Sequence, residues 1–130
     1  MYSRCVRLTI LLAGICLLGG VASAGEKGLM HCFAFSPIAE ATDADWKAFF
    51  KATDELPAKI EGLQKVWAGK LTAPRKLHPS APPREYGVCM LLDDAEALQK
   101  YASDPGHDEW IKAYAKVRQP GTTTFDIIGQ

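Results

Sequence analysis

Tyr101 and His107 form the most chemically suggestive pair in the sequence, because they stand on either side of the turn-forming triplet Asp104-Pro105-Gly106. A neutral imidazole has a pKa of about 6.5 and can take a proton from a carbon flanked by carbonyl groups. A phenol can donate a hydrogen bond to the oxyanion or enolate that then forms. The spacing indicates an acid–base pair, with His107 as the base and Tyr101 as the donor.

The place of His107 just after Pro105-Gly106, at the start of a helix, favours the uncharged form that a base needs. The positive end of the helix dipole lies there and disfavours an imidazolium. A structural alternative stays open, in which Tyr101 and His107 hydrogen-bond only to close the junction between two helices. His31, on a predicted strand, is a third candidate: either a group that orients the site or a histidine satisfied by a neighbouring carbonyl.

A metal site is not predicted. The histidines that follow the first 24 residues, His31, His78 and His107, lie far apart and lack the paired acidic spacing of metal ligands. His78 falls in a proline-rich segment and is expected to be solvated. We therefore expect neither a metal nor a cofactor.

The composition is that of one compact globular domain: 130 residues, 48% hydrophobic and 23% charged. Fifteen basic residues balance fifteen acidic ones, and no run of Lys or Arg occurs. The electrostatic footprint of a nucleic-acid-binding protein is therefore missing.

The first 24 residues have the pattern of a signal peptide. Arg4 and Arg7 precede an apolar stretch over 8–21, and Ala22-Ser23-Ala24 supplies a small-x-small cleavage site. The stretch of about 14 residues is shorter than the roughly 17–25 that span a bilayer, which disfavours the alternative of an uncleaved anchor. We expect a signal peptide over 1–24, a domain over 25–130, export to the periplasm or the medium, and no stable membrane anchor.

Two cysteines, Cys32 and Cys89, stay in the exported domain. In an oxidising compartment they could form a disulfide, and the alternative is two buried free thiols in adjacent strands. The sequence leaves this choice open.

Hydrophobic periodicity and turn residues predict the element order β-α-β-β-α-α-β. This is the ferredoxin-like α+β plan, a four-stranded antiparallel sheet with its helices on one face. The predicted elements are a strand over 30–35, a helix capped by Thr42 or Asp43 and running to Leu56, strands over 63–71 and 86–92, a helix on Ala95, Leu98 and Tyr101, a helix through Trp110 and Val117, and a strand over 122–128. Residues 72–84, with four prolines, are predicted to be a loop.

The helix-free face of such a sheet would be apolar and bare. A second copy packed sheet to sheet is the simplest cover, so the pattern favours a homodimer.

An ordered set of landmarks spans nearly the whole predicted domain and resembles the stress-responsive dimeric α/β-barrel (Dabb) family. That resemblance implies a homodimer whose two sheets form a dimeric α+β barrel, and relatives can hold a cation through backbone carbonyls near residues 57–63. The landmarks are His31 with Phe33 and Phe35, Phe49-Phe50-Lys51, Ile60-Glu61-Gly62, Gly69-Lys70, Tyr86, Tyr101, Asp104-Pro105-Gly106-His107 and Phe125-Asp126.

Within that family the chain is similar to plant polyketide cyclases of the olivetolic acid type. The similarity implies that Tyr101 and His107 are catalytic and that His31 contributes to the site. It also implies a pocket for a small apolar or polyketide-like molecule between sheet and helices, lined by Phe33, Phe35, Phe49, Phe50 and Met90. One departure is Thr53, which stands where the cyclase pocket has a tyrosine.

Three functions are therefore expected in order of preference. The first is a cofactor-free cyclase or lyase. The second is a non-catalytic stress-response or ligand-binding module, in which the same residues are structural. The third is a cofactor-independent monooxygenase.

Overall fold

The computed structural model describes residues 28–130, which fold into four strands and four helices. The strands form one antiparallel sheet in the order β2-β3-β1-β4. The helices lie against one face, which confirms the ferredoxin-like α+β prediction. The elements are β1 (Leu29–Phe35), α1 (Asp43–Asp54), α2 (Leu56–Lys59), β2 (Leu63–Arg75), β3 (Arg84–Leu92), α3 (Ala95–Ser103), α4 (Pro105–Tyr114) and β4 (Thr123–Ile128).

The predicted signal peptide over 1–24 lies outside the described residues. Between residues 28 and 130, no helix is both long enough and apolar enough to cross a membrane.

The core lies between the helix-bearing face of the sheet and the helices. Central strand β1 alternates, so that Phe33 and Phe35 point into the core while Cys32 and Ala34 face the other side. Pairing partners in an antiparallel sheet share a face, and Val88 and Met90 of β3 accordingly complete the inner layer.

Helix α1 begins as predicted, with Thr42 as its N-cap. The Thr42 hydroxyl accepts a hydrogen bond from the Asp45 N–H at 3.2 Å, and the Asp45 carboxylate accepts one from the Thr42 N–H at 3.0 Å. The prediction that the helix reaches Leu56 is wrong, because α1 ends at Asp54 and a separate short helix follows. Pro57 explains the break, since proline has no N–H for the next helical bond.

The prediction of a loop over 72–84 is wrong at both ends, because β2 runs to Arg75 and β3 begins at Arg84. Strand β2 includes Pro74 and tolerates it because β2 is an edge strand, where a missing N–H removes no bond between strands. The register shifts between Lys70 and Arg75, so this end of the pairing is irregular.

Asp104 separates α3 from α4. Its carboxylate accepts a hydrogen bond from the Gly106 N–H at 2.7 Å and caps α4, whose first residue is Pro105. Helix α4 ends at Tyr114, earlier than the predicted pattern through Val117, although Val117 is fully buried beyond the helix.

Arg84 braces the sheet at the end distant from His31. Its buried guanidinium donates to the Ser36 hydroxyl at 2.9 Å, to the Thr123 hydroxyl at 3.2 Å and to the Gly121 carbonyl. These bonds join β3 to the chain segments that flank β1 and β4.

Cys32 and Cys89 form a disulfide between β1 and β3, which answers the question that the sequence leaves open. The two residues are directly opposite in the register, with Cα atoms 4.2 Å apart. This distance is close to that of a non-hydrogen-bonded antiparallel pair, at about 4.5 Å.

The face of the sheet that carries the disulfide is called the outer face below. It has no helix, and three large apolar side chains are exposed on it: Trp67, Phe125 and Ile127. A hollow of about 360 Å³ lies on this face beside the disulfide. The predicted bare apolar face is therefore present.

Candidate functional site

The structure brings Tyr101 and His107 together. Tyr101 lies near the end of α3 and His107 in the first turn of α4, and the Asp104 cap between the helices fixes how they meet. The two ring centroids are 4.5 Å apart in an edge-to-face arrangement. Trp110, one turn further along α4, stacks on the His107 ring with the centroids 5.8 Å apart.

His31 approaches the same tyrosine from the sheet. Its ring centroid lies 5.9 Å from that of Tyr101. Its Nδ1 is 2.6 Å from Oδ1 of Asp126, the residue directly opposite in β4. All three predicted catalytic residues thus belong to one cluster, in which the Tyr101 ring lies between two imidazoles.

Asp126 is a member of the cluster that sequence reasoning did not assign. The signal that could have found it is the β1–β4 register, which pairs His31 with Asp126 and places both side chains on the helix-bearing face. That register depends on contacts between residues 95 positions apart. The sequence pattern predicts both strands but does not fix how they align.

Burial sets the charge states of the two central groups. Tyr101 is only 3% exposed, and burial raises the pKa of its phenol well above the ordinary value, with nearby Tyr114 adding to the rise. Burial also lowers the pKa of His107; Asp108 opposes this shift, while His31 adds to it. At neutral pH the cluster therefore offers a protonated phenol and a neutral imidazole at His107.

One hydrogen-bonding atom in the cluster is unsatisfied. Nδ1 of His107 is buried and meets no hydrogen-bond partner among residues 28–130. Buried polar atoms are rarely left in this state, so an unpaired imidazole nitrogen next to a phenol is a position where a ligand group or a proton could be held.

The pair formed by His31 and Asp126 has a defined polarity. When Nδ1–H of an imidazole donates to a carboxylate, the lone pair remains on Nε2, which can accept a proton. Arrangements of this kind orient histidines that act as bases. The cluster can therefore donate a hydrogen bond through Tyr101 and accept a proton at two imidazoles.

The predicted pocket residues lie in the aromatic core beside this cluster. Phe33, Phe35, Phe49 and Met90 are buried, and Phe50 packs partly buried against them. Their contacts are largely with one another and with Trp110 and Tyr114 of α4. Whether a ligand enters between these side chains stays a prediction.

A hollow of about 190 Å³ lies on the helix side, between α1, α2 and the start of α4. Gly106 and Trp110, which flank His107 along α4, line it together with Ala52 and Leu56. This hollow is the described cavity nearest to the cluster in the chain, and it adjoins the helix turn that carries His107.

Thr53 connects α1 to α4 inside the core. Its hydroxyl accepts a hydrogen bond from Nε1 of Trp110 at 2.9 Å and donates one to the Phe49 carbonyl at 2.7 Å. The residue that departs from the cyclase pattern therefore positions the helix that bears His107.

His78 lies apart from the cluster, in the loop between β2 and β3, where its Nδ1 is 2.8 Å from the Ser80 hydroxyl. Across residues 28–130, no group of three or more His, Cys, Asp or Glu side chains is placed to hold a metal ion.

Comparison with known families now assigns the chain. The model of the stress responsive A/B barrel domain, Dabb, matches residues 29–128. The chain therefore belongs to the Dabb family, and the match begins with β1 and ends with β4.

Solved structures with the same fold are distant in sequence. A dimeric ferredoxin-like protein of unknown function from Thermobifida fusca has 18% identity and a TM-score of 0.62, with 79% of this chain and 92% of that chain covered. The hydroxynitrile lyase of Passiflora edulis has 9% identity and a TM-score of 0.63, with 81% and 95% covered. SnoaB, a cofactor-independent oxygenase from Streptomyces nogalater, has 12% identity and a TM-score of 0.56, with 80% and 94% covered. No protein of curated function matches the sequence.

Proposed function

We propose that the protein is an exported, homodimeric acid–base catalyst that acts without a cofactor, as a lyase or cyclase, on a small and largely apolar carbonyl compound or its adduct. The observation that carries the proposal is the placement of the Tyr101 ring between His31 and His107, at centroid distances of 5.9 Å and 4.5 Å. A phenol kept protonated and an imidazole kept neutral are the two groups that proton abstraction next to a carbonyl requires.

In the proposed reaction His107 takes the proton from the carbon next to the carbonyl. The electron pair moves onto the carbonyl oxygen, and Tyr101 donates a hydrogen bond to the resulting enolate. In a cyclase the enolate carbon then attacks a second carbonyl of the same molecule, and in a lyase the pair instead expels a leaving group. The proton on His107 is returned to the product oxygen or to the leaving group, so the site ends as it began.

His31 and Asp126 supply a second acceptor on the other side of Tyr101. Because the carboxylate fixes the orientation of the ring, His31 can hold a substrate hydroxyl or take its proton. We expect Asp126 to act through His31 rather than on the substrate.

Two relatives support a chemistry that needs no metal. The similar structures include a hydroxynitrile lyase and a cofactor-independent oxygenase, so this fold is compatible with both reaction classes. The lyase is the better model here, because the cluster offers an acid and bases.

A non-catalytic binding or stress-response module is the second candidate. It is favoured by the burial of Tyr101 and by the closely packed aromatic core, which together resemble a structural junction between α3 and α4. In that case the same side chains stabilise the fold and turn over no substrate.

The proposed dimer rests on the bare outer face and on dimeric relatives of the same fold. A sheet with exposed Trp67 and Phe125 on a helix-free side needs cover, and a second copy would supply it. Export is supported by the disulfide between Cys32 and Cys89, since disulfides persist mainly in oxidising compartments.

Two probe substrates test the catalytic proposal. Mandelonitrile reports lyase activity through released benzaldehyde, and 1-phenylpropan-2-one in deuterium oxide reports proton abstraction through deuterium uptake by NMR. We expect His107→Asn and Tyr101→Phe to lower the faster of these rates about 100-fold or more. The exposed loop variant His78→Asn is the matched control and should retain the full rate.

Equal rates in all four proteins, with the fold retained by circular dichroism, would overturn the catalytic proposal in favour of the binding module. Oxygen consumption in the presence of either probe, lost under anaerobic conditions, would instead identify an oxygenase.

A further inference from the structure

Two glycines, Gly69 of β2 and Gly87 of β3, face each other on the outer face of the sheet. Without side chains they form the floor of the 360 Å³ hollow, whose walls include Trp67, Leu71 and Phe125. The lining is mostly apolar, and the Cys32–Cys89 disulfide lies next to it.

The fold of one copy explains only one of these glycines. A Cβ on Gly87 would lie 3.0 Å from the Leu71 side chain and 3.4 Å from the Phe33 carbonyl, so that position is crowded. A Cβ on Gly69 would meet no atom of residues 28–130 within 4 Å. The glycines with positive φ in this part of the chain are Gly62 and Gly121, so Gly69 is not required by its backbone conformation either.

A glycine inside a strand costs stability, because it weakens the strand and packs nothing. Such a residue often marks a point where another molecule approaches closely. The open space at Gly69 therefore indicates that the approach comes from outside the protomer, against the outer face.

We propose that Gly69 is the floor of a socket that receives an exposed aromatic side chain, Trp67 or Phe125, from a second copy of this chain. This inference rests on the homodimer in the proposed function and adds the contact that specifies it. In a two-fold symmetric interface the same patch must carry both the socket and the side chain that fills its counterpart. The outer face carries both.

The two candidate side chains have the properties of interface anchors. Trp67 is 46% exposed and Phe125 is 52% exposed, although both are large aromatics of a kind enriched at interface centres. Lys65 lies over the Trp67 ring, with its Nζ 4.7 Å from the ring centroid, and supplies a polar group beside the apolar patch. An apolar centre with a polar rim is the usual anatomy of a protein interface.

Gly69→Leu tests the socket directly, because the new side chain meets open space in a single copy and should not disturb its fold. We expect sedimentation equilibrium to show a dimer dissociation constant raised at least tenfold, with Gly69→Ala giving a smaller increase. Lys70→Leu is the matched control: it places the same side chain one residue further along β2, on the opposite face, and should leave the dissociation constant unchanged.

A second pair of variants keeps the test independent of the folding of Gly69→Leu. Trp67→Ala and Phe125→Ala each remove an exposed side chain, and we expect one of them to raise the dissociation constant at least tenfold. An unchanged dimer in both variants, or in a folded Gly69→Leu protein, would overturn the socket and leave the dimer standing. A wild-type protein that is monomeric at micromolar concentration would overturn both the socket and the dimer, but not the acid–base proposal, which the rate assays test separately.

Discussion

The hydrogen bond between Thr53 and Trp110 should govern how firmly α4, and with it His107, is held against α1. Thr53 is fully buried and its hydroxyl is the acceptor for Nε1–H of Trp110. Thr53→Val keeps the size and shape of the side chain but removes that acceptor. The indole N–H then stays buried without a partner, because Trp110 is itself buried.

The expected magnitude follows from two opposing effects. An unsatisfied buried donor costs about 1–3 kcal/mol. Replacement of the hydroxyl by a methyl group adds apolar burial worth about 0.8 kcal/mol. We therefore expect Thr53→Val to lower the free energy of unfolding by about 1–2 kcal/mol.

A double-mutant cycle separates this bond from ordinary packing effects. Trp110→Phe removes the N–H, so Thr53→Val should cost little in that background, and the coupling energy between the two sites should be about 1–2 kcal/mol. Urea unfolding followed by far-ultraviolet circular dichroism gives each free energy. All four proteins must be measured at one concentration, because a dimer makes stability concentration-dependent. A coupling energy near zero would refute the claim that this bond holds the two helices together.

Three further outcomes are expected. Because burial lowers the pKa of His107, the unfolded chain binds more protons at this group than the folded protein does, so the wild type should lose stability as pH falls below about 6.5, through the His107 pKa, and His107→Asn should lose less; equal losses in acid urea titrations would contradict this. Replacing both Cys32 and Cys89 by alanine opens a link between residues 57 positions apart and should lower the free energy of unfolding by about 4 kcal/mol in the chain-entropy picture, whereas a change in thermal midpoint within error would argue against it. Arg84→Met leaves the Ser36, Gly121 and Thr123 oxygens without their donor and should cost about 2 kcal/mol or more in urea unfolding, while a cost below about 0.5 kcal/mol would show that these bonds contribute little.

Local signals were sufficient for most of the fold. The N-caps Thr42 and Asp94, the break at Asp104-Pro105 and the alternation in β1 each act within a few residues, and the structure places all of them as their chemistry requires. The order of elements, the ferredoxin-like sheet and the bare outer face followed from them.

The errors arose where a tertiary contact changes the meaning of a local signal. Pro74 reads as a loop residue, yet β2 accepts it because the strand lies at the edge of the sheet. Edge position is a property of the finished sheet and is not encoded near the proline. The short helix α2 shows the opposite case, because Pro57 is a local break that the apolar pattern through Leu56 obscured.

The site was partly predictable for the same reason. Tyr101 and His107 are separated by one helix junction, so their contact follows from local structure. The contact of His31 with Asp126 and its approach to Tyr101 depend on strand register and on the packing of α3 over β1. Those distances exist only in the assembled fold.

The pH dependence of the faster probe reaction tests the acid–base centre most directly. We expect kcat/KM of the wild type to fall on the acid side with an apparent pKa below the usual 6.5 of histidine, because the base must be neutral and burial lowers the pKa of His107. In His107→Asn the residual rate should lose that limb, while in the control His78→Asn the limb should remain. An acid limb of the same midpoint in wild type and His107→Asn, or a rate independent of pH in the wild type, would contradict the assignment of His107 as the catalytic base.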